Sequence, residues 1–185
     1  MVDIREAEVT LEEGDIVYIE SREAEVFYTG GLLTAGEHAE PLVWWKDFEI
    51  RRFNNAIYLL RKDSATLPGD AVCFDASLPL SLGVGTLRCV SHTGGGLLTA
   101  DTNLSVRGRV GGEKIQLYGK TRTLKKILQE QGVPPWLRDK LPLVYCDDVL
   151  VAIPGIQRWR VQPLVASGYS TESHEQGLSL WFEEN

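Results

Sequence analysis

Residues 120–140 read KTRTLKKILQEQGVPPWLRDK and carry the clearest helix pattern in the chain. Leu124, Ile127 and Leu128 recur at the i, i+3 and i+4 spacing that places apolar side chains on one face of a helix. The two lysines that follow Leu124 fall on the opposite side of that helix, where water reaches them. The pattern therefore predicts an amphipathic helix that packs its apolar face on a core.

Both ends of this helix are marked in the sequence. Thr121 or Thr123 can cap its first turn, because a threonine hydroxyl accepts a hydrogen bond from a free backbone N–H. Gly132 can end it, since glycine adopts the left-handed backbone of a C-terminal cap without strain. Pro134-Pro135 cannot continue the helix but can begin another, which predicts a second short helix over residues 136–140.

Strand patterns lie on both sides of the helices. Runs rich in β-branched and aromatic residues, separated by turn-forming residues, predict short strands. Asn54-Asn55 and Cys146-Asp147-Asp148 each separate two such runs and predict hairpins. The predicted strands cover residues 15–20, 25–29, 48–53, 56–60, 71–74, 85–90, 104–110, 143–145, 149–153 and 178–182.

These patterns predict an α+β fold of mostly antiparallel strands with two short helices, preceded by a small β-rich acidic N-terminal module. We assign the acidic module to residues 1–36 and the main region to residues 37–185. No apolar run approaches the roughly 18 residues of a membrane span. The N-terminus lacks the basic and apolar regions of a secretory signal. We therefore expect a cytoplasmic location and no membrane partner.

Charge is distributed unevenly along the chain, whose net charge is −7. Residues 1–50 carry thirteen acidic and three basic groups, whereas residues 107–140 carry three acidic and nine basic groups. Because salt screens charges more than about 10 Å apart, one basic face can bind phosphates on an acidic protein. The alternative is an ordinary solvated surface. The nine candidate phosphate-binding residues are Arg107, Arg109, Lys114, Lys120, Arg122, Lys125, Lys126, Arg138 and Lys140.

Other kinds of site find little support. Cys73, Cys89 and Cys146 are odd in number and widely spaced, which predicts small buried side chains rather than disulfides or a zinc site. Residues 93–96 read TGGG but lack the Lys-Ser/Thr ending of a P-loop, so we predict an ordinary loop. No nucleophile–base pair or metal cluster is apparent, and an independent enzyme is not expected.

Two further features have structural interpretations. Trp136 is predicted to anchor the second helix in the core beside the prolines, although a tryptophan could also stack on an unpaired base. Asp147-Asp148 is predicted to be a turn, because adjacent carboxylates on a strand or turn point apart.

Four segments together resemble one family: LSVRGR (104–109), KTRTLKKILQE (120–130), GVPPWLRDKLPL (132–143) and VLVAIPG (149–155). They are similar to the C-terminal domain of the bacterial tRNA(Ile)-lysidine synthetases, which are PP-loop ATPases. The Leu-Lys-Lys helix followed by Val-Pro-Pro-Trp-x-Arg is the most specific part of the resemblance. The similarity extends over roughly residues 37–182.

The resemblance implies a function. These ligases use ATP to attach lysine to the wobble cytidine of an isoleucine tRNA, in an N-terminal PP-loop domain with a Ser-Gly-Gly-x-Asp-Ser loop. That motif does not occur in this sequence. We therefore expect a tRNA-binding, substrate-recognition region that is not catalytic alone and takes no cofactor, while ATP and lysine serve the absent catalytic domain. The expected partners are tRNA, through the nine basic residues above, and that PP-loop domain; homodimerisation is left open.

A second function of a different class stays open at this point. The chain could be a protein-interaction or regulatory module that uses its acidic N-terminal region. Tighter tRNA binding after deletion of residues 1–36 would indicate an acidic mask, whereas loss of a protein partner would indicate a docking module.

Overall fold

A computed structural model describes residues 18–19, 25–26, 41–45, 47–54, 56–62, 65–98 and 103–185. The chain divides into two compact units, Met1–Ser64 and Ala65–Asn185. The boundary predicted at residues 36/37 lies outside the described residues. Among the described residues, no helix is both long enough and apolar enough to cross a membrane.

Strands dominate both units. In chain order the elements are β1 (Tyr18–Ile19), β2 (Glu25–Val26), β3 (Leu42–Trp45), β4 (Phe48–Phe53), β5 (Ala56–Arg61), β6 (Val72–Cys73), β7 (Leu80–Ser81), β8 (Gly85–Thr93), β9 (Leu104–Arg107), β10 (Lys114–Leu117), β11 (Lys120–Thr123), α1 (Leu124–Glu130), α2 (Pro135–Arg138), β12 (Leu143–Cys146), β13 (Val149–Ile153), a 3-10 turn (Gln157–Trp159), β14 (Leu164–Val165) and β15 (Gln176–Glu184). The paired strands run antiparallel. For the residues that the structure describes, the predicted combination of antiparallel strands and two short helices is therefore confirmed.

The first unit contains the hairpin predicted around Asn54-Asn55. Strands β3, β4 and β5 form a three-stranded sheet in chain order. Asn54 has a φ of +48°, which the two-residue turn requires and asparagine tolerates. Ile50 and Ile57 are buried on this sheet. Strands β1 and β2 pair within the predicted acidic module; the rest of that module lies outside the described residues.

The second unit contains two larger sheets and the two-stranded β10–β11 sheet around one hydrophobic cluster. The larger sheet has the order β14-β13-β12-β9-β6, and the smaller has the order β15-β8-β7. A parallel bridge between Gly155 and Trp181 joins them. Side chains from both sheets and both helices form the cluster, and its fully buried members include Leu87, Leu97, Leu124, Ile127, Leu128, Leu137, Leu143, Val151, Ile153 and Leu180.

Helix α1 forms as the sequence predicts. Leu124, Ile127 and Leu128 are buried. Thr123 holds the N-cap position, although its side chain makes no capping hydrogen bond. At the other end Gly132 has a φ of +69°, and its N–H donates to the Gln129 carbonyl at 3.1 Å. The next N–H along the chain donates to the Leu128 carbonyl at 2.9 Å, which completes a Schellman motif.

Helix α2 is shorter than predicted. It begins at Pro135, as the proline pattern indicates, but ends at Arg138 instead of Lys140. The Lys140 N–H donates to the Leu137 carbonyl at 3.1 Å, an i to i−3 bond that tightens the chain into a turn. Pro142 follows this turn and is buried.

The loop predicted at residues 93–96 is confirmed for residues 94–96, whereas Thr93 still belongs to β8; the structure also gives a packing reason for its last glycine. Strand β8 ends at Thr93. A Cβ atom at Gly96 would lie 2.6 Å from the backbone of Gly177, so a side chain does not fit there. Thr171 fastens the contact, because its Oγ1 accepts a hydrogen bond from the Gly96 N–H at 3.0 Å.

Candidate nucleic-acid interface

All nine predicted basic residues lie in the second unit, on β9, the loop after it, the β10–β11 hairpin, and helices α1 and α2 with the turn that follows. They do not form one uniform cationic surface. The arginines bind groups of the protein itself, whereas most of the lysines are exposed. The two kinds of residue therefore differ in what they can offer a ligand.

Arg107 braces the turn between β12 and β13. Its guanidinium lies 2.9 Å from the Asp148 carboxylate and donates to the Asp147 carbonyl at 2.5 Å. The same group lies over the Tyr145 ring, 4.9 Å from the ring centroid. Asp147 has a φ of +51°, and the Asp147-Asp148 turn is confirmed. A phosphate would have to compete with these contacts to bind Arg107.

Arg109 belongs to a network that organises the loop after β9. Its guanidinium lies 3.3 Å from Asp139 and 3.6 Å from Glu113. The Glu113 side chain is only 5% exposed, and that of Arg109 is 18% exposed. The other Glu113 oxygen accepts hydrogen bonds from the N–H groups of Val110 and Gly111, both at 2.6 Å. The two carboxylates thus neutralise much of the charge of Arg109.

The pKa of Glu113 reflects this environment. Burial acts to raise it, but hydrogen bonds from the backbone N–H groups of Gly111, Glu113 and Val110, together with the charge of Arg109, lower it below its ordinary value of 4.5. Glu113 is therefore a carboxylate at neutral pH and holds the loop in place.

The remaining arginines and the last lysine are also engaged. Arg122 forms an ion pair with Glu130. Arg138 donates from Nε to the Val133 carbonyl at 2.9 Å. Lys140 is half-buried and is not a free cation.

Four lysines have a different environment: Lys114, Lys120, Lys125 and Lys126, hereafter the lysine group. All four are exposed. Within the part of the chain that the structure describes, no side-chain hydrogen bond or ion pair joins any of them to another residue. Their full charge is therefore available to an anion.

The register of the β10–β11 hairpin places the lysine group in two parts. Lys114 pairs with Thr123, next to the start of α1, where Lys125 and Lys126 lie. Lys120 pairs with Leu117 at the opposite end of the hairpin. Directly paired residues share a face and neighbouring residues alternate, so Lys114 and Lys120 lie on opposite faces. At about 3.3 Å per residue, some 10 Å of strand separates the two parts.

The sequence patterns missed this hairpin, because they predict no strand between residues 110 and 143. The alternation in KIQL (114–117) is a strand signal, and its buried members are Ile115 and Leu117. Tyr118-Gly119 forms the two-residue turn, with φ angles of +50° and +74°. Tyr118 is 89% exposed and is a candidate contact residue that charge counting could not find.

The structure also locates Trp136 and the three cysteines. Trp136 packs against the core, with its ring centroid 6.2 Å from that of Trp159, as its predicted anchoring role requires. The prediction of buried cysteines holds for Cys146 but is wrong for Cys73, which is exposed on β6, an edge strand of the larger sheet. Cys89 is half-buried, and burial raises the pKa of its thiol to about 11.

Comparison with known proteins gives a family match over the same elements. Residues 104–180 match the protein family described as TilS substrate C-terminal domain. This range contains the β10–β11 hairpin, both helices and all nine predicted basic residues.

Relatives of known name agree with this match. A tRNA(Ile)-lysidine synthase of Legionella pneumophila (strain Paris) is 39% identical over 119 residues, which cover 63% of this chain and 28% of the relative. The tRNA(Ile)-lysidine synthase of Coxiella burnetii (strain RSA 493 / Nine Mile phase I) is 36% identical over 155 residues, covering 80% and 33%. The chain thus spans about a third of the length of these relatives. A crystal structure of the TILS C-terminal domain has a TM-score of 0.45 and 19% identity, over 63% of this chain and 98% of that chain.

Proposed function

We propose, from the premise that residues 104–180 form a TilS substrate C-terminal domain of a tRNA(Ile)-lysidine synthase, that this chain binds tRNA through the lysine group. The observation that carries the proposal is the exposure of four unpaired lysines within the matched region. A lysine ammonium that contacts a phosphate releases a condensed counterion, which gives affinity without sequence readout.

The proposal narrows the set of nine basic residues. In the proposed complex, phosphates lie against three lysines around the start of α1: Lys114, Lys125 and Lys126. Lys120 contacts a further phosphate at the other end of the hairpin. We assign the arginines mainly a structural role, because each already donates to a carboxylate or carbonyl of the chain, and these contacts offset part of its charge. An RNA helix recognised by its backbone and shape suits this arrangement.

The proposal also assigns different roles to this chain and to a catalytic domain. The relatives are named as tRNA(Ile)-lysidine synthases, and the matched region corresponds to their C-terminal domain. We assign to this chain the holding of the tRNA, and to a PP-loop domain the chemistry with ATP and lysine. No cofactor is assigned to this chain, and its cytoplasmic location follows from its tRNA partner. Phosphate contacts do not distinguish one tRNA from another, so the selection of one tRNA depends on contacts other than the lysine group.

A matched pair of double variants tests the proposal. Lys125→Gln with Lys126→Gln removes two charges from the lysine group, and Arg61→Gln with Arg160→Gln removes two charges from exposed residues outside it. Because each lost phosphate contact lowers the log–log salt slope by 0.7–0.9, we expect the lysine variant to flatten it by about 1.5 and to bind more weakly at low salt. Filter binding to a tRNA transcript measures both quantities.

The control variant has the same net charge as the lysine variant. Its affinity and slope are expected to stay near those of the unchanged chain. Equal losses in the two variants would mean that total charge matters and the lysine group does not, and the site assignment would then fail.

A further inference from the structure

The tip of the β10–β11 hairpin carries an aromatic ring in an unusual setting. Tyr118 is 89% exposed and has a φ of +50°. A residue other than glycine, asparagine or aspartate in the left-handed region is uncommon and costs conformational energy. Because the tyrosine ring is exposed, it also contributes none of the stability that a protein usually gains by burying an aromatic ring.

The other two-residue turns of the described chain show what this position normally holds. Asn54 and Asp147 occupy the equivalent first position of their hairpin turns, with φ angles of +48° and +51°. Both belong to the residue types that the turn favours. Tyr118 is the exception, and within the described residues its side chain has no hydrogen bond, ion pair or ring contact. The fold therefore provides no reason for the ring.

The hairpin that carries Tyr118 is nevertheless anchored to the rest of the second unit. Ile115 and Leu117 are buried on the core side of the hairpin, at 2% and 4% exposure. On the outer edge of β10 the Ser167 N–H donates to the Gln116 carbonyl at 2.9 Å. The hairpin thus presents the ring at a fixed place at low entropic cost.

The charge around the tip indicates what the ring contacts. Lys120 follows Tyr118 by two residues and is exposed. The acidic residue next to the hairpin, Glu113, lies at its opposite end, where its side chain is buried and bonded to its own loop. An aromatic ring beside a lysine suits a group with a flat ring and a phosphate, which describes a nucleotide.

We propose that Tyr118 stacks on an unpaired nucleotide of the bound tRNA, while Lys120 contacts the adjacent phosphate. This inference rests on the proposed function and adds to it a contact that base-paired RNA cannot supply. Stacking needs an accessible base face, and in a duplex both faces of each internal base are covered by its neighbours.

The test uses two RNA probes and four variants of the whole chain. The probes are an unmodified tRNA transcript and a blunt-ended RNA duplex. Tyr118→Ala is expected to lower affinity for the transcript about tenfold and to leave duplex binding unchanged. Tyr118→Phe keeps the ring and should bind the transcript like the unchanged chain. Tyr118→Leu should lose affinity as alanine does, because an apolar but non-aromatic side chain cannot stack.

Tyr118→Asn separates binding from folding. Asparagine is a favoured residue for this turn, so this variant should melt at an equal or higher temperature and still bind the transcript about tenfold more weakly. Unchanged transcript affinity in the alanine or asparagine variants would overturn the inference, as would full affinity in the leucine variant, which would show that RNA binding does not need an aromatic ring. If the unchanged chain binds neither probe, it is the proposed function that fails.

Discussion

Arginine and lysine have different roles in the basic segment, although a count of charges treats them alike. Arg107, Arg109 and Arg122 each bind a carboxylate of the chain, whereas the lysine group binds none among the described residues. The planar guanidinium matches a carboxylate with two parallel donors, and the ammonium of lysine is a more strongly hydrated point charge. This division could not be predicted from the sequence, because Asp139 and Asp148 reach their arginines only in the folded chain.

At the residue scale the clearest prediction concerns Glu113. Its folded pKa is lowered, so its carboxylate stabilises the fold above the unfolded pKa, and that contribution is lost as the pH falls through the folded pKa. We expect Glu113→Gln to reduce the free energy of unfolding at pH 7 by about 1–3 kcal/mol, since charged hydrogen bonds to a buried group are lost.

Urea unfolding at a series of pH values measures this effect. The difference between Glu113→Gln and the unchanged chain should shrink as the pH falls below 4.5, the ordinary value for this side chain. Glu172→Gln serves as the control, because the Glu172 side chain is 75% exposed. A difference that stays constant down to low pH would show that Glu113 acts through its shape and not its charge.

At the scale of elements, turn chemistry determined which parts could be predicted. The hairpins around Asn54-Asn55 and Asp147-Asp148 were predictable because favoured turn residues separate well-patterned strands. The β10–β11 hairpin was not, since its turn begins with tyrosine and its strands are four residues long. Thr121 also resembled a helix cap, whereas it lies within β11. Thr123 ends β11 and does hold the N-cap position, although without a capping hydrogen bond.

The C-terminal end of α1 carries a prediction at this scale. Gly132 has a φ of +69° in the Schellman motif that ends the helix, so a Cβ atom there is strained. We expect Gly132→Ala to lower the free energy of unfolding by about 1 kcal/mol and Gly132→Asn to lower it by less. Gly168→Ala is the matched control, because nothing lies within 4 Å of a Cβ at Gly168. Chemical denaturation of the three variants gives the comparison. Equal stability of Gly132→Ala and the control would contradict this account of the helix end.

At the scale of the whole molecule, the net charge of −7 gives little guidance to the partner. The lysine group lies on the β10–β11 hairpin and the start of α1, and interactions beyond about 10 Å are screened at physiological salt. The resemblance in residues 104–155 pointed to the same C-terminal domain whose family model matches residues 104–180. The local residue patterns alone predicted strands, helices and a cationic segment, but no function. A surface that binds a nucleic-acid backbone needs only exposed positive charge, and such charge forms no distinctive sequence motif.

In the proposed function, phosphate contacts from the lysine group hold tRNA on this chain. The most direct test is the affinity of the unchanged chain for a tRNA transcript over a salt series. With up to four lysines contacting phosphates, the account predicts binding near the micromolar range at low salt and a log–log slope of about −3. Absence of binding at low salt, or a slope near zero, would contradict it.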